Sequence, residues 1–199
     1  MPIKPERRYA ACPEFRAAED ADYIVRGYAS TFDPYVLFRD GDREIYERID
    51  AHAFDNADMS DIIMQYDHEG RVFARQSNGT LKVGTDEHGL WMEADLSRTE
   101  GARALYEDIR SGMITEMSFA FAIENNGDHF EKETSTRIVD RIRKVYDVSA
   151  VSIPANPGTE ISARSYFDGV VEAEKQERLR AEERERKVKI LNLMLEVNS

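Results

Sequence analysis

The apolar run from Ile114 to Ile123 limits what this chain can fold into more than any other segment does. Side chains alternate between the two faces of a β-strand, so large apolar residues would cover one face of this run. The opposite face would carry Ser118, Ala120 and Ala122, which leaves space beside the one hydroxyl. A nucleophile held on a rigid strand is what covalent catalysis requires.

Several other segments have the pattern of short strands. Alternation is partial from Tyr23 to Phe32 and regular from Leu90 to Leu96, and the stretch from Arg137 to Ile153 is rich in strand-forming residues. Many short strands with few helices predict a mainly β fold of the α+β kind. We expect a closed or nearly closed β-barrel surrounded by a few helices.

Turn and capping residues predict the connections between these strands. Asn78-Gly79 favours the tight turn of a β-hairpin. Ser97 and Glu100 fit a capping box, which predicts a helix that ends at Gly112. The segment from Asp50 to Ala57 fits a short helix capped by its first residue.

Composition along the chain predicts three parts. Residues 1–21 contain three prolines and no sustained period, which is typical of a flexible arm. Residues 22–170 would form the β-barrel. Residues 171–199 contain no proline or glycine and have Glu and basic residues four positions apart, which predicts a charged C-terminal helix. Its apolar end would dock a partner or fold back on the barrel.

The charge of the chain restricts its partners. The formal net charge is −12, and residues 172–199 hold seven acidic and seven basic side chains, so the excess lies in the first 171 residues. An acidic domain repels phosphates, so we expect no nucleic-acid binding, whereas basic or unfolded protein segments would be attracted. No apolar run resembles a signal peptide or a membrane span.

The cysteine and histidine contents indicate the compartment and the absence of a metal site. Cys12 is the single cysteine, so we expect no intramolecular disulfide and a reducing, intracellular setting. His52, His88 and His129 lack the spacing of metal ligands. We therefore expect no metal and no cofactor.

His68 and Asp147 could activate the serine. His68 lies in the segment QYDHEG, and Asp147 lies in YDVSAVSIPANPGT. A serine hydroxyl must give its proton to a base, and histidine, with a pKa of about 6.5, suits neutral pH. A carboxylate would orient the imidazole. Asp67 and Glu69 adjoin the histidine and are rivals for that role. Taken singly, each of these residues is more often structural.

The order and spacing of six segments give the chain a resemblance to the tailed-bacteriophage prohead maturation proteases over about residues 22–165. The segments are GYASTFD (27–33), EIYERIDAHAFDNA (44–57), QYDHEG (65–70), GTLKV with GLWMEADL (79–96), GMITEMSFAF (112–121) and YDVSAVSIPANPGT (146–159). Those serine peptidases are distantly similar to the herpesvirus capsid assembly proteases. The resemblance implies Ser118 as nucleophile, His68 as general base and Asp147 as orienting acid, at a position often occupied by Glu.

The chain departs from the common family pattern near these residues. Glu116 and Ala120 stand where small glycines flank the serine, and Asp67 stands where an asparagine often precedes the histidine. A buried Glu116 would be costly unless it faced solvent. Backbone amides near residues 154–156 are the candidate oxyanion donors. Ser149 is read as a strand hydroxyl or a fallback nucleophile.

The resemblance implies a serine endopeptidase of phage head maturation. Inside the immature prohead, in the host cytoplasm, it would cleave scaffolding protein or the scaffold-like segment of the major capsid protein, and then itself, with residues 171–199 as a candidate self-cleaved tail. Such proteases tend to be dimers. Two alternatives stay open: a noncatalytic assembly module that binds capsid protein through the barrel and the terminal helix, and an intracellular ester hydrolase with a small, closed pocket.

Overall fold

The structure is a computed structural model that describes residues 6–10, 15–40, 42–152, 169, 172 and 175–187. The chain divides into two compact units, Met1–Glu160 and Ile161–Ser199. The described part of the first unit contains thirteen strands, one α-helix and one 3₁₀ turn. The strands are β1 (Glu6–Ala10), β2 (Arg16–Ala17), β3 (Ile24–Thr31), β4 (Tyr35–Asp40), β5 (Arg43–Ile49), β6 (Ile63–Tyr66), β7 (Glu69–Arg75), β8 (Leu81–Thr85), β9 (Gly89–Asp95), β10 (Glu116–Ile123), β11 (Asp128–Glu131), β12 (Thr136–Val139) and β13 (Ile142–Val151). The helix is α1 (Glu100–Arg110), and the 3₁₀ turn spans Gln76–Asn78.

The strands form three separate sheets. Sheet A has the order β1-β10-β13-β6-β7, sheet B has β2-β3-β9-β8, and sheet C has β11-β12-β5-β4. Most neighbouring strands are antiparallel, but β13 pairs with β6, and β12 with β5, in parallel. The mainly β character is as expected.

The prediction of a closed or nearly closed β-barrel is wrong. Among the described residues, none of the three sheets closes on itself, and each ends in two edge strands. Alternation in a strand specifies that one face is buried but does not specify which strand lies beside it. Several small sheets packed around one core therefore have the same sequence pattern as one continuous barrel.

Sheet A places the candidate residues next to one another. Strand β10 lies between β1 and β13 and is antiparallel to both, with Ser118 opposite Ser149 on β13. Strand β13 in turn pairs with β6 from Asp147 to Ala150. Strands β6 and β7 form a hairpin whose last pair is Tyr66 and Glu69. A turn of only two residues, which includes His68, connects them.

Hydrophobic residues of the three sheets and α1 share one core. On β10, Phe119 and Phe121 are fully buried and their rings stack with centroids 4.6 Å apart, and Phe54 lies 6.2 Å from Phe119. Strand β9 buries Leu90, Met92 and Ala94 with partly exposed residues between them, as its alternation predicts. Fully burying one large apolar side chain stabilises a fold by about 1.5–3 kcal/mol. The buried Phe119 and Phe121 therefore hold β10 against the core on the face opposite Ser118.

Helix α1 leads the chain into β10. It buries Ala102, Leu105, Tyr106 and Ile109, which recur at helical spacing. Its N-cap is Thr99, whose hydroxyl accepts a hydrogen bond from the backbone N–H of Ala102, so the predicted cap at Ser97 is wrong by two residues. Gly112 has φ +75°, as expected for the left-handed residue that ends a helix.

Two local predictions are wrong. From Asp50 to Ala57 the chain makes consecutive turns with hydrogen bonds between residues three apart, and the predicted helix does not form. The side chain of Asp50 accepts a hydrogen bond from the backbone N–H of His52, which favours such turns over a helix. Asn78-Gly79 does form a tight turn, with φ +76° at the glycine. That turn connects sheets A and B, whereas a hairpin would join strands of one sheet.

Within the second unit, residues 175–187 are helical. Ion pairs between residues four positions apart lie along this helix. The distance is 3.7 Å between Arg178 and Glu182, and 2.8 Å between Lys187 and Glu183. The predicted apolar docking end, from Val188 to Leu195, lies outside the described residues. The part boundaries at 21/22 and 170/171 stay predictions, and strands β1 and β2 fall within the predicted arm. In the described ranges no helix combines the length and apolar character needed to cross a membrane.

Candidate active site

Ser118 lies in the middle of β10, on the face opposite the stacked phenylalanines. Residues 117–122 of this strand are all buried, and Ser118 has no exposed surface. Ala120, two residues further along β10, projects from the same face as Ser118. The backbone on both sides of Ser118 is fixed by pairing with Tyr9 of β1 and Ser149 of β13. The hydroxyl is therefore held by a central strand and not by a loop.

His68 is held by the tightest kind of hairpin connection. Asp67 and His68 are the two residues between β6 and β7, with φ angles of +50° and +58°. A two-residue hairpin of type I′ requires positive φ at both positions, where glycine and asparagine are favoured. The positive φ of a histidine costs on the order of 1 kcal/mol, and strained residues of this kind cluster at functional sites.

Asp67 fastens this turn to the end of β13. Its backbone N–H donates to the carbonyl of Ala150 at 3.0 Å. Its carboxylate accepts two hydrogen bonds of 2.9 Å from Ser152, one from the backbone N–H and one from the hydroxyl. The position of the turn, and so of the imidazole, is fixed relative to sheet A.

The structure brings the three predicted residues into hydrogen-bond contact. His68 Nε2 lies 2.6 Å from the Oγ of Ser118, and His68 Nδ1 lies 2.6 Å from Oδ1 of Asp147. In the sequence, His68 is 50 positions from Ser118 and 79 positions from Asp147. All are buried, and 10% of the Asp147 side chain is exposed. The imidazole therefore bridges an alcohol and a carboxylate.

The Asp147 carboxylate contacts the imidazole, and its two rivals have other surroundings. The Asp67 carboxylate is bound to Ser152, and Glu69 is exposed on β7. Asp147 also accepts a 2.8 Å hydrogen bond from the hydroxyl of Ser149, which is fully buried. This contact of Ser149 was not predicted from the sequence. The signal was present, because residues two apart on a strand share a face.

This arrangement can move a proton from Ser118 to His68. With Nδ1 donating to the carboxylate, the neutral imidazole has a free lone pair on Nε2 that accepts the serine proton. The Asp147 carboxylate would then stabilise the imidazolium that forms. Burial strengthens each of these hydrogen bonds, because the local dielectric constant is low. The geometry is that of an activated serine nucleophile.

Glu116 lies on the same face of β10, two residues before Ser118. Its residue is partly buried, and Oε2 is buried without a hydrogen-bond partner in the part of the chain that the structure describes. Burial raises the pKa of this carboxyl above its ordinary value. A buried carboxylate is costly unless it faces solvent. In the structure Glu116 is only partly exposed.

Two further predictions concern groups near the site. The candidate oxyanion donors at residues 154–156 lie outside the described residues. In the ranges that the structure describes, no group of three or more His, Cys, Asp or Glu side chains is arranged to hold a metal ion.

Comparison with known proteins identifies one family. The family model of the caudovirus prohead serine protease matches residues 13–173, a range that includes all three residues of the hydrogen-bonded set. No curated protein and no solved structure matches the chain. The distant similarity to herpesvirus capsid assembly proteases stays a prediction.

Proposed function

The chain belongs to the caudovirus prohead serine proteases, and we propose that Ser118, His68 and Asp147 are the catalytic residues with which it cleaves peptide bonds during capsid maturation. As a member of this family it is a serine peptidase of the phage prohead. The observation that supports the residue assignment is the pair of 2.6 Å hydrogen bonds that His68 makes.

The proposed reaction has two halves. Ser118 Oγ attacks the scissile carbonyl carbon while His68 Nε2 takes its proton, and the imidazolium returns that proton to the leaving amine as the peptide C–N bond breaks. Water then attacks the acyl-serine, again giving a proton to His68, which passes it to Ser118 as the ester bond breaks. The Asp147 carboxylate accepts a hydrogen bond from Nδ1 and stabilises the imidazolium.

We propose scaffolding protein, or the scaffold-like segment of the major capsid protein, as the substrate. Cleavage would take place inside the prohead in the host cytoplasm and would extend to the protease itself, with residues 171–199 as the candidate tail. The acidic charge of the first 171 residues supports basic or unfolded protein segments over nucleic acid as partners. Self-association as a dimer belongs to the same proposal.

Two observations favour this proposal over a noncatalytic assembly module. A module without activity has no need of a buried serine hydroxyl bonded to a histidine, which in turn is bonded to a carboxylate. The substituted residue Asp67 also retains a use in the enzyme, since its carboxylate fixes the turn that holds His68.

Coexpression with the capsid protein tests the proposal. The wild-type chain should shorten the capsid protein or the scaffold, and Ser118→Ala should abolish this, with a loss of rate on the order of 10⁶-fold. In parallel, a fluorophosphonate probe should label the wild-type chain at Ser118 and leave the variant unlabelled. Intact-mass spectrometry of the purified chain would show any loss of residues 171–199.

Ser111→Ala is the matched control, because Ser111 is exposed at the end of α1. It should cleave and label like the wild type. Normal cleavage by Ser118→Ala would refute the assignment of the nucleophile. Labelling of Ser118 together with turnover of small esters but no peptide cleavage would favour the ester hydrolase.

A further inference from the structure

Glu116 carries a partly buried carboxyl group at the start of β10. Native proteins satisfy most of their buried polar atoms, and an unpaired carboxylate in an apolar setting is costly. Oε2 of Glu116 has no hydrogen-bond partner among the described residues, and no described cation forms an ion pair with it. Glu47, by contrast, is fully buried and lies 3.1 Å from a guanidinium nitrogen of Arg137. Among the described residues, Glu116 therefore has no cation comparable to the Arg137 partner of Glu47.

Glu116 lies close to the Ser118 hydroxyl along strand β10. Residues two apart on a strand are about 7 Å apart along the strand and project from the same face. On the adjoining strand β13, the register places Val151 opposite Glu116 and Ser149 opposite Ser118. The carboxyl therefore lies at the start of β10, on the face that also presents the serine hydroxyl.

The rest of this strand face is uncharged. Beyond Ser118 it continues with Ala120 and Ala122, which are small and buried. Asp147 is the nearby carboxylate on β13, and it is already engaged by His68 and Ser149. A substrate that reaches Ser118 therefore meets one charged side chain on this strand, and it is Glu116.

We propose that the Glu116 carboxylate determines specificity by binding the cationic side chain of a substrate Lys or Arg within two residues of the scissile bond. This inference rests on the proposed function. An extended peptide advances about 3.3 Å per residue, so a side chain one or two positions from the attacked carbonyl spans the distance from Ser118 to Glu116. Arginine should be preferred to lysine, because a guanidinium can donate two hydrogen bonds to one carboxylate.

The same arrangement accounts for the cost of the buried acid. In the free protein the desolvated carboxyl is poorly stabilised in its charged form, and burial raises its pKa. A bound cation supplies the missing partner, so part of the desolvation cost is offset only when the substrate is in place. The excess acidic charge of the first 171 residues also favours approach of a cationic segment.

The test is a cleavage profile on an unbiased peptide mixture, with the cut ends identified by mass spectrometry. The wild-type chain should enrich Lys and Arg about tenfold over Asp and Glu at one position within two residues of the cut, as expected for a partly buried charge pair. Glu116→Gln should remove most of this enrichment, and Glu116→Lys should shift it toward Asp and Glu. Glu107→Gln, on the exposed side of α1, should keep the wild-type profile.

The outcomes separate the two proposals. Selectivity is a ratio within each variant, and fluorophosphonate titration of Ser118 counts the active molecules, so partial misfolding does not alter the profile. A wild-type chain that is labelled and cleaves peptides without basic enrichment overturns the role of Glu116, as does a Glu116→Gln variant that keeps the enrichment. If the wild type neither labels nor cleaves, the proposed function fails, and this subsite fails with it. If the variants do not fold, the wild-type profile still decides.

Discussion

Sheets A and C each bury a carboxylate in a network of hydrogen bonds, and the two networks differ in the partner that the carboxylate has. In sheet C, Glu47 is fully buried, accepts a hydrogen bond from the hydroxyl of Tyr35, and lies 3.1 Å from a guanidinium nitrogen of Arg137. The same guanidinium contacts Asp128 at 2.7 Å. In sheet A, Asp147 is paired with a histidine and a serine.

The difference lies in whether the partner can release its proton. Arginine stays protonated at all accessible pH values, so the cation of the sheet C network keeps its charge and joins neighbouring strands. Histidine gains and loses a proton near neutral pH, and in sheet A its second nitrogen contacts a hydroxyl. The buried acid of sheet C is thus paired with a permanent cation, whereas the buried acid of sheet A is paired with a side chain of a type that can exchange a proton.

Removing the charge of Asp147 should have the largest effect. Asp147→Asn keeps the size of the side chain but stabilises neither the tautomer nor the cation of His68, so kcat/KM should fall on the order of 10⁴-fold. The measurement is hydrolysis of a peptide substrate together with the rate of fluorophosphonate labelling of Ser118.

Asp128→Asn in sheet C is the matched control and should leave both rates unchanged. A loss of less than about tenfold in Asp147→Asn would show that the carboxylate of sheet A is as structural as the one in sheet C.

Removing the cation of sheet C should affect stability and not chemistry. Arg137→Met leaves Glu47 buried without a counterion, which should lower the free energy of unfolding by about 3–5 kcal/mol. Adding Glu47→Gln in the same chain should recover part of the loss. Urea titration measures both. For comparison, Arg141→Met removes the exposed ion pair with Glu124 and should cost less than about 1 kcal/mol. An equally small cost for Arg137→Met would contradict the comparison.

Ser149 should give the smallest of the three effects. Ser149→Ala removes one hydrogen bond to Asp147 and should reduce kcat about tenfold, which is about 1.4 kcal/mol, with little change in KM. Because Ser149 acts through Asp147, labelling of Ser118 should slow by the same factor. Ser149→Thr, which keeps the hydroxyl, should restore much of the rate. Equal stability losses in both variants with unchanged labelling would reduce Ser149 to a packing residue.

Local structure was predictable where one residue pattern allows one answer. The alternation of Leu90 to Leu96 specified β9, and the helical spacing that includes Leu105 and Ile109 specified α1. The cap at Thr99 was missed because Ser97 offers the same hydroxyl two residues earlier, and a propensity cannot choose between them. The barrel was mispredicted because strand patterns do not specify which strands are neighbours.

The site required information that local patterns lack. His68 and Asp147 are 79 positions apart, and only the ordered family segments linked them to Ser118. The tertiary structure adds what the letters of those segments do not show: the hydrogen bond from the Ser149 hydroxyl to Asp147, and the partial burial of Glu116. Both lie at positions whose strand face could be predicted, but burial and partners depend on how the sheets pack.

The two-residue connection that carries His68 has a consequence for how such a protein can vary. A loop of this length has no slack, since pairing on either side begins at once with Tyr66 and Glu69. One inserted amino acid would require a different turn type and would move the His68 ring away from the Ser118 hydroxyl. The length of this turn therefore fixes the position of the imidazole as much as the identity of its residues does. A descendant could retain the serine, the histidine and the aspartate and still be inert.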